Sequence, residues 1–231
     1  MLITRSIRAS GAMDWVAEGW DLFRARPGAW IALGAIDLLV TVVLASLPVI
    51  DGLAPVFAVL WAGGMSAAAE TCRIRGTVSI SDAFAGIREH LQPLCMLCLV
   101  SLAAVIVCDF AGDRVVASFQ ALVSGHADGS AGMAWLAALI YMAVALGAAM
   151  ALWLAPALVV LHRATPMEAL KASLAALRHN PWATLVYGAV IAGLAGAALL
   201  TLGIGLVVVA PLAYLSTYAA CRDLFVFTED D

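Results

Sequence analysis

The chain has few charged residues. Only 12% of its 231 residues are Asp, Glu, Lys or Arg, whereas 64% are hydrophobic and the mean hydropathy is +1.01. Soluble proteins carry roughly 25% charged residues, and a soluble chain of this length could not bury so much apolar surface. A formal net charge of −4 also argues against a nucleic-acid partner. We therefore expect residues 1–231 to form a single integral membrane domain.

Motifs of catalysis and metal binding are missing from the sequence as well. It contains no nucleophile elbow, phosphate-binding loop or paired-histidine zinc motif. Its five cysteines are scattered and odd in number, which does not suggest a disulfide framework. Cys95 and Cys98 form a CxxC pair, but thiols inside apolar runs usually serve as packing residues. We expect a protein that is not an enzyme and has no cofactor and no metal site.

Long apolar runs dominate what is present. A membrane-spanning helix needs roughly 20 mostly apolar residues. The sequence offers six such segments, namely 28–50, 52–71, 91–110, a part of 131–161, and the two halves of 182–220 on either side of a turn at 201–205. The fold class that we expect is all-α, a polytopic membrane helix bundle of about six transmembrane helices.

Basic residues are distributed unevenly between the two sides that six spans would create. Lys and Arg are retained on the cytoplasmic side near the ends of spans. Arg114 would lie alone on one side, and the other side would hold Arg5, Arg8, Arg24, Arg26, Arg73, Arg75, Arg88, Arg163, Lys171, Arg178 and Arg222. We therefore expect both termini in the cytoplasm. The opposite side would carry a short turn at Asp51 and a loop over 109–130 that includes Asp109, Asp113, His126 and Asp128.

Three prolines, Pro27, Pro93 and Pro181, each open a spanning run and follow a short amphipathic segment. The spacing of apolar residues in these segments predicts three helices lying at the cytoplasmic interface. Thr165 and Glu168 form a capping box that marks the start of the third. The pattern favours an internal repeat with units over about 14–75, 80–163 and 165–223. The alternative is that the segments are simple tethers and the match of the prolines is coincidental.

Basic residues gather towards the C-terminal ends of these helices. Arg24, Arg26, Arg88 and Arg178 are candidate contacts for lipid headgroups, with solvated interfacial arginines as the simpler interpretation. Glu70 lies three residues before Arg73, a spacing that predicts a local ion pair.

Asp37 lies midway along the first predicted span. An acid at this depth costs about 2.5–3.5 kcal/mol on insertion scales and usually faces a bundle interior. It is a candidate for an acid in a transport path, and the alternative is a hydrogen-bonded structural residue. In the fifth span, Gly188, Gly193 and Gly196, together with Ala192 and Ala197, have the small-residue spacing typical of close helix packing.

Four short stretches, spread over most of the chain, carry a family resemblance. They are 18–23 followed by Pro27 and Trp30, 81–86, 169–181 and 218–225. They resemble a proteobacterial family of inner-membrane proteins of unknown function, related to the membrane domain attached to some glycerophosphoryl diester phosphodiesterases. The resemblance implies a six-span helical fold in the bacterial inner membrane, and it implies no activity and no functional residues.

Two functions remain open at this point. The first is a non-enzymatic inner-membrane protein whose basic amphipathic helices contact lipid headgroups or a membrane partner. The alternative is a small transporter or permease with Asp37 in a central pathway. Membrane lipids are the partners that we expect, and the sequence leaves open a protein partner or a homo-oligomer.

Overall fold

The computed structural model describes residues 3–47, 50–124 and 131–226, and within these ranges the chain is a helical bundle. The helices are α1 (Gly11–Ala25), α2 (Pro27–Ala45), α3 (Ala54–Arg75), α4 (Ile80–Glu89), α5 (Leu91–Val123), α6 (Ala131–His162), α7 (Pro166–His179), α8 (Pro181–Leu199) and α9 (Leu206–Leu224). A 3-10 turn, Asp51–Leu53, precedes α3. Two short strands, β1 (Ile3–Thr4) and β2 (Phe225–Val226), pair antiparallel. The expected helical architecture is confirmed, with this strand pair added.

The three short helices α1, α4 and α7 lie at one end of the bundle, and we call them the collar. Each packs on the C-terminal half of a long helix, α1 on α9, α4 on α3 and α7 on α6. Small residues make these contacts close: a Cβ added to Gly19 of α1 would lie 2.8 Å from the Ser216 backbone nitrogen. In α7 the Ser173 hydroxyl donates to the Met150 carbonyl of α6 at 2.8 Å.

The large apolar residues of the collar helices are only partly covered by the rest of the bundle. Phe23 is buried, but Trp20, Phe84 and Met167 are 41%, 45% and 60% exposed. Small residues such as Ala83 and Gly86 face the bundle instead. Helical periodicity identified the helices correctly but could not tell which residues face protein, because a small side chain allows closer backbone contact than a large one.

The long helices form a centre and a periphery. Helices α3, α6 and α9 contact one another in the middle of the bundle. Around them, α2 packs on α9, α5 packs on α3 and α6, and α8 packs on α9 and α1. Three tryptophans, Trp15, Trp30 and Trp61, are almost fully buried in this core.

Within the described residues, four helical segments are long and apolar enough to cross a membrane: Pro27–Ala45, Leu91–Ala117, Trp135–His162 and Pro181–Leu199. The break expected at 201–205 is confirmed, since α8 ends at Leu199 and α9 begins at Leu206. The Thr201 hydroxyl oxygen accepts a hydrogen bond from the Gly205 backbone nitrogen at 3.0 Å and stabilises this turn.

Two predicted boundaries were wrong. The first span was expected to reach residue 50, whereas α2 ends at Ala45. A loop was expected to begin at Asp109, whereas α5 continues to Val123. A polar residue ends an apolar run but not a helix, and Arg114 here lies 4.7 Å from the ring centre of Phe110 on the continued helix. His126 and Asp128 fall outside the described residues.

Candidate functional site: the collar end and the cavity beside α8

A network of charged and hydroxyl groups joins α3 to α9 at the collar end. The Glu70 carboxylate pairs with the Arg73 guanidinium at 2.6 Å, as its spacing predicted. The Tyr218 hydroxyl of α9 donates to Glu70 and accepts from Arg73 Nε at 3.1 Å. Tyr218 itself is fully buried, so the network ties the ends of two central helices together.

Neighbouring residues of α9 bind α1 in the same region. Arg222 pairs with Glu18, and its guanidinium lies 5.7 Å from the ring centre of Tyr218. The Trp15 indole nitrogen donates to Asp223 at 2.8 Å. Sequence reasoning missed these contacts because they join residues more than 200 positions apart, and local spacing carries no signal for them.

Asn180, between α7 and α8, holds the N-terminal segment. Its side-chain oxygen accepts from the Ile7 backbone nitrogen at 2.6 Å, and its side-chain nitrogen donates to the Arg5 carbonyl at 3.0 Å. Arg5 also donates its backbone N–H to the Leu224 carbonyl. Asn180 is 2% exposed, so a buried amide fastens the N-terminal segment at the collar end, and the backbone of that segment in turn bonds to the end of α9.

The four candidate arginines all lie at the collar end with exposed side chains. Arg24 pairs with Asp21. Arg26 Nε donates to the Gly76 carbonyl at 3.0 Å. Arg88 and Arg178 have no ion pair with another described residue. These two guanidinium groups are therefore available to an anion from outside the chain.

The capping box at the start of α7 is formed as expected. The Thr165 hydroxyl accepts from the Glu168 backbone nitrogen at 3.4 Å, and the Thr165 backbone nitrogen donates to the Glu168 carboxylate at 3.1 Å. The Thr165 hydroxyl also donates to that carboxylate at 2.8 Å. These hydrogen bonds favour the charged form and lower the pKa of Glu168.

Asp37 is buried where α2 contacts α9, and Tyr214 is its side-chain partner. Close approach of the two helices occurs one turn earlier in α2, where a Cβ added to Gly34 would lie 2.5 Å from the Val207 carbonyl oxygen. Pro211 cannot donate to that carbonyl, which is four residues before it. The candidate transport acid thus lies in a tight helix–helix contact.

A cavity of about 1070 Å³ lies elsewhere, bounded by α3, α5, α6, α8 and α9, and Asp37 does not line it. Most of its wall is apolar. A few polar residues line the part nearer the collar: the Tyr187 hydroxyl bonds to Thr217 at 3.0 Å, and the Trp153 indole nitrogen donates to Thr217 at 3.3 Å. Thr184 also lines this part, and its hydroxyl oxygen is buried with no hydrogen-bond partner among the described residues.

The three glycines of α8 make no close packing contact with other described residues. A Cβ added to Gly188, Gly193 or Gly196 would meet nothing within 4 Å. The prediction of close helix packing at these glycines was therefore wrong for the part of the chain that is described. Gly188 lines the cavity instead.

Cys95 and Cys98 lie in different environments. Cys95 is exposed, and Cys98 is buried with its sulfur 3.5 Å from the Val56 carbonyl oxygen. No group of three or more His, Cys, Asp or Glu side chains suited to a metal ion occurs within residues 3–47, 50–124 and 131–226.

Comparisons with known proteins identify a relative. No family model and no solved structure matches the chain. A curated protein of Burkholderia thailandensis, named probable inner membrane protein BTH_II0599, is 30% identical over 251 residues, covering 95% of this chain and 92% of the relative. Both proteins are thus similar over nearly their whole lengths. The chain belongs to the family of this probable inner membrane protein.

Proposed function

We propose that the chain is a non-enzymatic inner-membrane protein with six spans, whose collar faces the cytoplasm and binds anionic lipid headgroups through Arg24, Arg26, Arg88 and Arg178. The observation that carries this proposal is the concentration of basic residues at the collar end. Eleven of the twelve Lys and Arg residues belong to the collar helices, the adjoining helix ends or the N-terminal segment, and Arg114 is the exception.

Six spans require that α3 and α9 also cross the bilayer. They have 22 and 19 residues, which is enough for about 30 Å of hydrocarbon at 1.5 Å per residue. Both lie at the centre of the bundle, where small and hydroxyl residues such as Gly63, Ser66 and Ser216 face other helices and lower the hydropathy. With six spans, both ends of the chain lie in the cytoplasm and the basic residues follow the positive-inside rule.

The contacts of the collar support the three-unit repeat. Each unit consists of a collar helix followed by two long helices, as α1–α3, α4–α6 and α7–α9. Each collar helix packs on the last helix of the preceding unit, and α1 packs on α9, so that the pattern closes into a ring. The relation to the membrane domain attached to some glycerophosphoryl diester phosphodiesterases stays a prediction.

The exposed apolar residues of the collar fit an interface with lipid. Trp20, Phe84 and Met167 are exposed on the same three helices that carry the candidate arginines. Amphipathic helices bind the headgroup region by placing apolar side chains below basic ones. Each Lys or Arg near an anionic surface contributes about 1 kcal/mol.

Charge reversal tests the proposal. We expect the variant R24E/R26E/R88E/R178E, purified in mild detergent, to retain at least tenfold less anionic phospholipid per protein, since four favourable contributions of about 1 kcal/mol are lost. The matched control is R114E, which changes the one basic residue outside the collar end and should retain anionic lipid as the parent does. Equal retention by the parent and the fourfold variant would overturn the proposal.

Transport past Asp37 is the alternative proposal, and the buried carboxylate beside Tyr214 is what favours it. Intramembrane acids commonly line ion or substrate pathways. In this alternative, Asp37→Asn abolishes a proton-dependent flux into vesicles while leaving lipid retention at the collar unchanged. If vesicles that contain the parent protein show no proton-dependent flux, transport past Asp37 is contradicted.

A further inference from the structure

The three units of the bundle do not pack alike. The first long helix of one unit packs on the last helix of the preceding unit in two cases, α2 on α9 and α5 on α3. The corresponding pair is α8 and α6, which make little contact. The cavity of about 1070 Å³ lies between them. The cavity thus marks the position of a missing helix–helix contact.

Two glycines at matching positions show the difference. Gly34 and Gly188 each lie seven residues after the proline that begins their helix, Pro27 and Pro181. A Cβ on Gly34 would lie 2.5 Å from α9, whereas a Cβ on Gly188 would meet nothing within 4 Å. Across the cavity from α8, the wall includes Pro156 of α6. The face of α8 that could approach α6 therefore stays open.

The walls of this cleft suit a long apolar molecule with one polar end. Apolar side chains of α3, α5, α6 and α8 line most of it, and its volume is slightly above the ~300–1,000 Å³ typical of ligand sites. The unpartnered Thr184 hydroxyl lies near the collar, three residues after the start of α8. Asp109, exposed on α5, lies at the far end. An anionic headgroup is repelled there and attracted by the basic collar.

We propose that the cleft between α6 and α8 holds one acyl chain of a membrane phospholipid, with the polar end of the lipid at Thr184 and the chain directed away from the collar. The chain fills the space that a close α6–α8 contact would otherwise occupy. The hydroxyl of Thr184 donates to an ester oxygen of the lipid. The inference rests on the proposed function only for the orientation of the lipid, because the basic collar selects the end at which the headgroup lies.

Trp153 lines the cleft and offers a direct probe. The full chain is reconstituted into phosphatidylcholine vesicles containing a small share of phosphatidylglycerol with brominated acyl chains, which quench tryptophan fluorescence on contact. The fluorescence of Trp153 is obtained as the difference between the tryptophan fluorescence of the parent and that of Trp153→Phe. We expect Gly188→Leu, which places a bulky side chain at the wall of the cleft and displaces the acyl chain from it, to remove this quenching. Gly193→Leu, which adds the same side chain at a position that does not line the cavity, should leave it unchanged.

A second variant tests the same site even if Gly188→Leu does not fold. Thr184→Val keeps the shape of the side chain and removes the hydroxyl, and we expect about fivefold more brominated lipid to be needed for half-maximal quenching. Quenching of Trp153 that is equal in the parent, Gly188→Leu and Thr184→Val would overturn the inference. Loss of a dimer in Gly188→Leu, with quenching unchanged, would overturn it in favour of a second copy in the cleft.

The two proposals can fail separately. Loss of quenching in Gly188→Leu, together with normal retention of anionic lipid by R24E/R26E/R88E/R178E, would support the acyl-chain site in the cleft. It would contradict headgroup binding by the collar. Loss of anionic lipid from the fourfold variant, together with normal quenching in Gly188→Leu, would support headgroup binding by the collar. It would contradict the acyl-chain site in the cleft.

Discussion

Gly19 gives a sharp test of how the collar is attached. A Cβ at this position would lie 2.8 Å from the Ser216 backbone nitrogen and 3.0 Å from its Cα. Both atoms belong to the backbone of α9, so no side-chain rotation relieves the clash. Overpacking of this kind costs about 1–3 kcal/mol, against a gain of about 1 kcal/mol for replacing glycine by alanine in a helix. We expect Gly19→Ala to lower the free energy of unfolding by up to about 2 kcal/mol.

Gly28 is the matched control, because a Cβ there meets nothing within 4 Å. Gly28→Ala should leave the free energy of unfolding unchanged or raise it by up to about 1 kcal/mol. Reversible unfolding in mixed micelles of mild detergent and dodecyl sulfate, followed by tryptophan fluorescence, measures both. If Gly19→Ala is as stable as Gly28→Ala, α1 does not pack on α9 as described.

Three further predictions follow from the collar end. Tyr218→Phe should lower the free energy of unfolding by about 1–3 kcal/mol, because the hydrogen bonds that the buried tyrosine makes to the charged Glu70 and Arg73 are lost. Tyr141→Phe, at an exposed ring, should have little effect, and both variants are measured in mixed micelles. Asn180→Ala should release the segment before Gly11, so that limited proteolysis cuts there faster than in the parent, and equal rates would contradict this. Because the pKa of Glu168 is lowered in the folded state, its carboxylate stabilises the fold above the ordinary Glu pKa of about 4.3. This contribution is lost as the pH falls through the lower pKa of the folded state. Glu168→Gln should therefore make the free energy of unfolding fall less steeply as the pH is lowered.

Local signals in the sequence were sufficient for the helices. Apolar spacing identified α1, α4 and α7, and the Thr165 capping box marked the start of α7 correctly. The turn at 201–205 followed from glycines between two apolar runs. These features depend on residues within one or two helical turns of each other, which is the range over which spacing carries information.

The contacts between distant helices could not be predicted in the same way. Tyr218 and Glu70 are 148 positions apart, and nothing in either helix alone indicates that they meet. The cavity depends on a contact that α8 does not make, although its glycines have the spacing of a packing face. The continuation of α5 beyond Asp109 could not be predicted from hydropathy, because a helix can extend past the end of its apolar run.

The side of the membrane on which the collar lies tests the central claim most directly. Thr77 follows α3 at the collar end, and Leu202 lies in the turn at the opposite end, 94% exposed. Thr77→Cys and Leu202→Cys, each compared with the parent protein and its native cysteines, are treated in spheroplasts with a maleimide that does not cross membranes. The account predicts labelling at 202 in intact spheroplasts and at 77 only after the membrane is opened. Labelling at 77 in intact spheroplasts, or at both positions, would contradict a basic collar at the cytoplasmic surface.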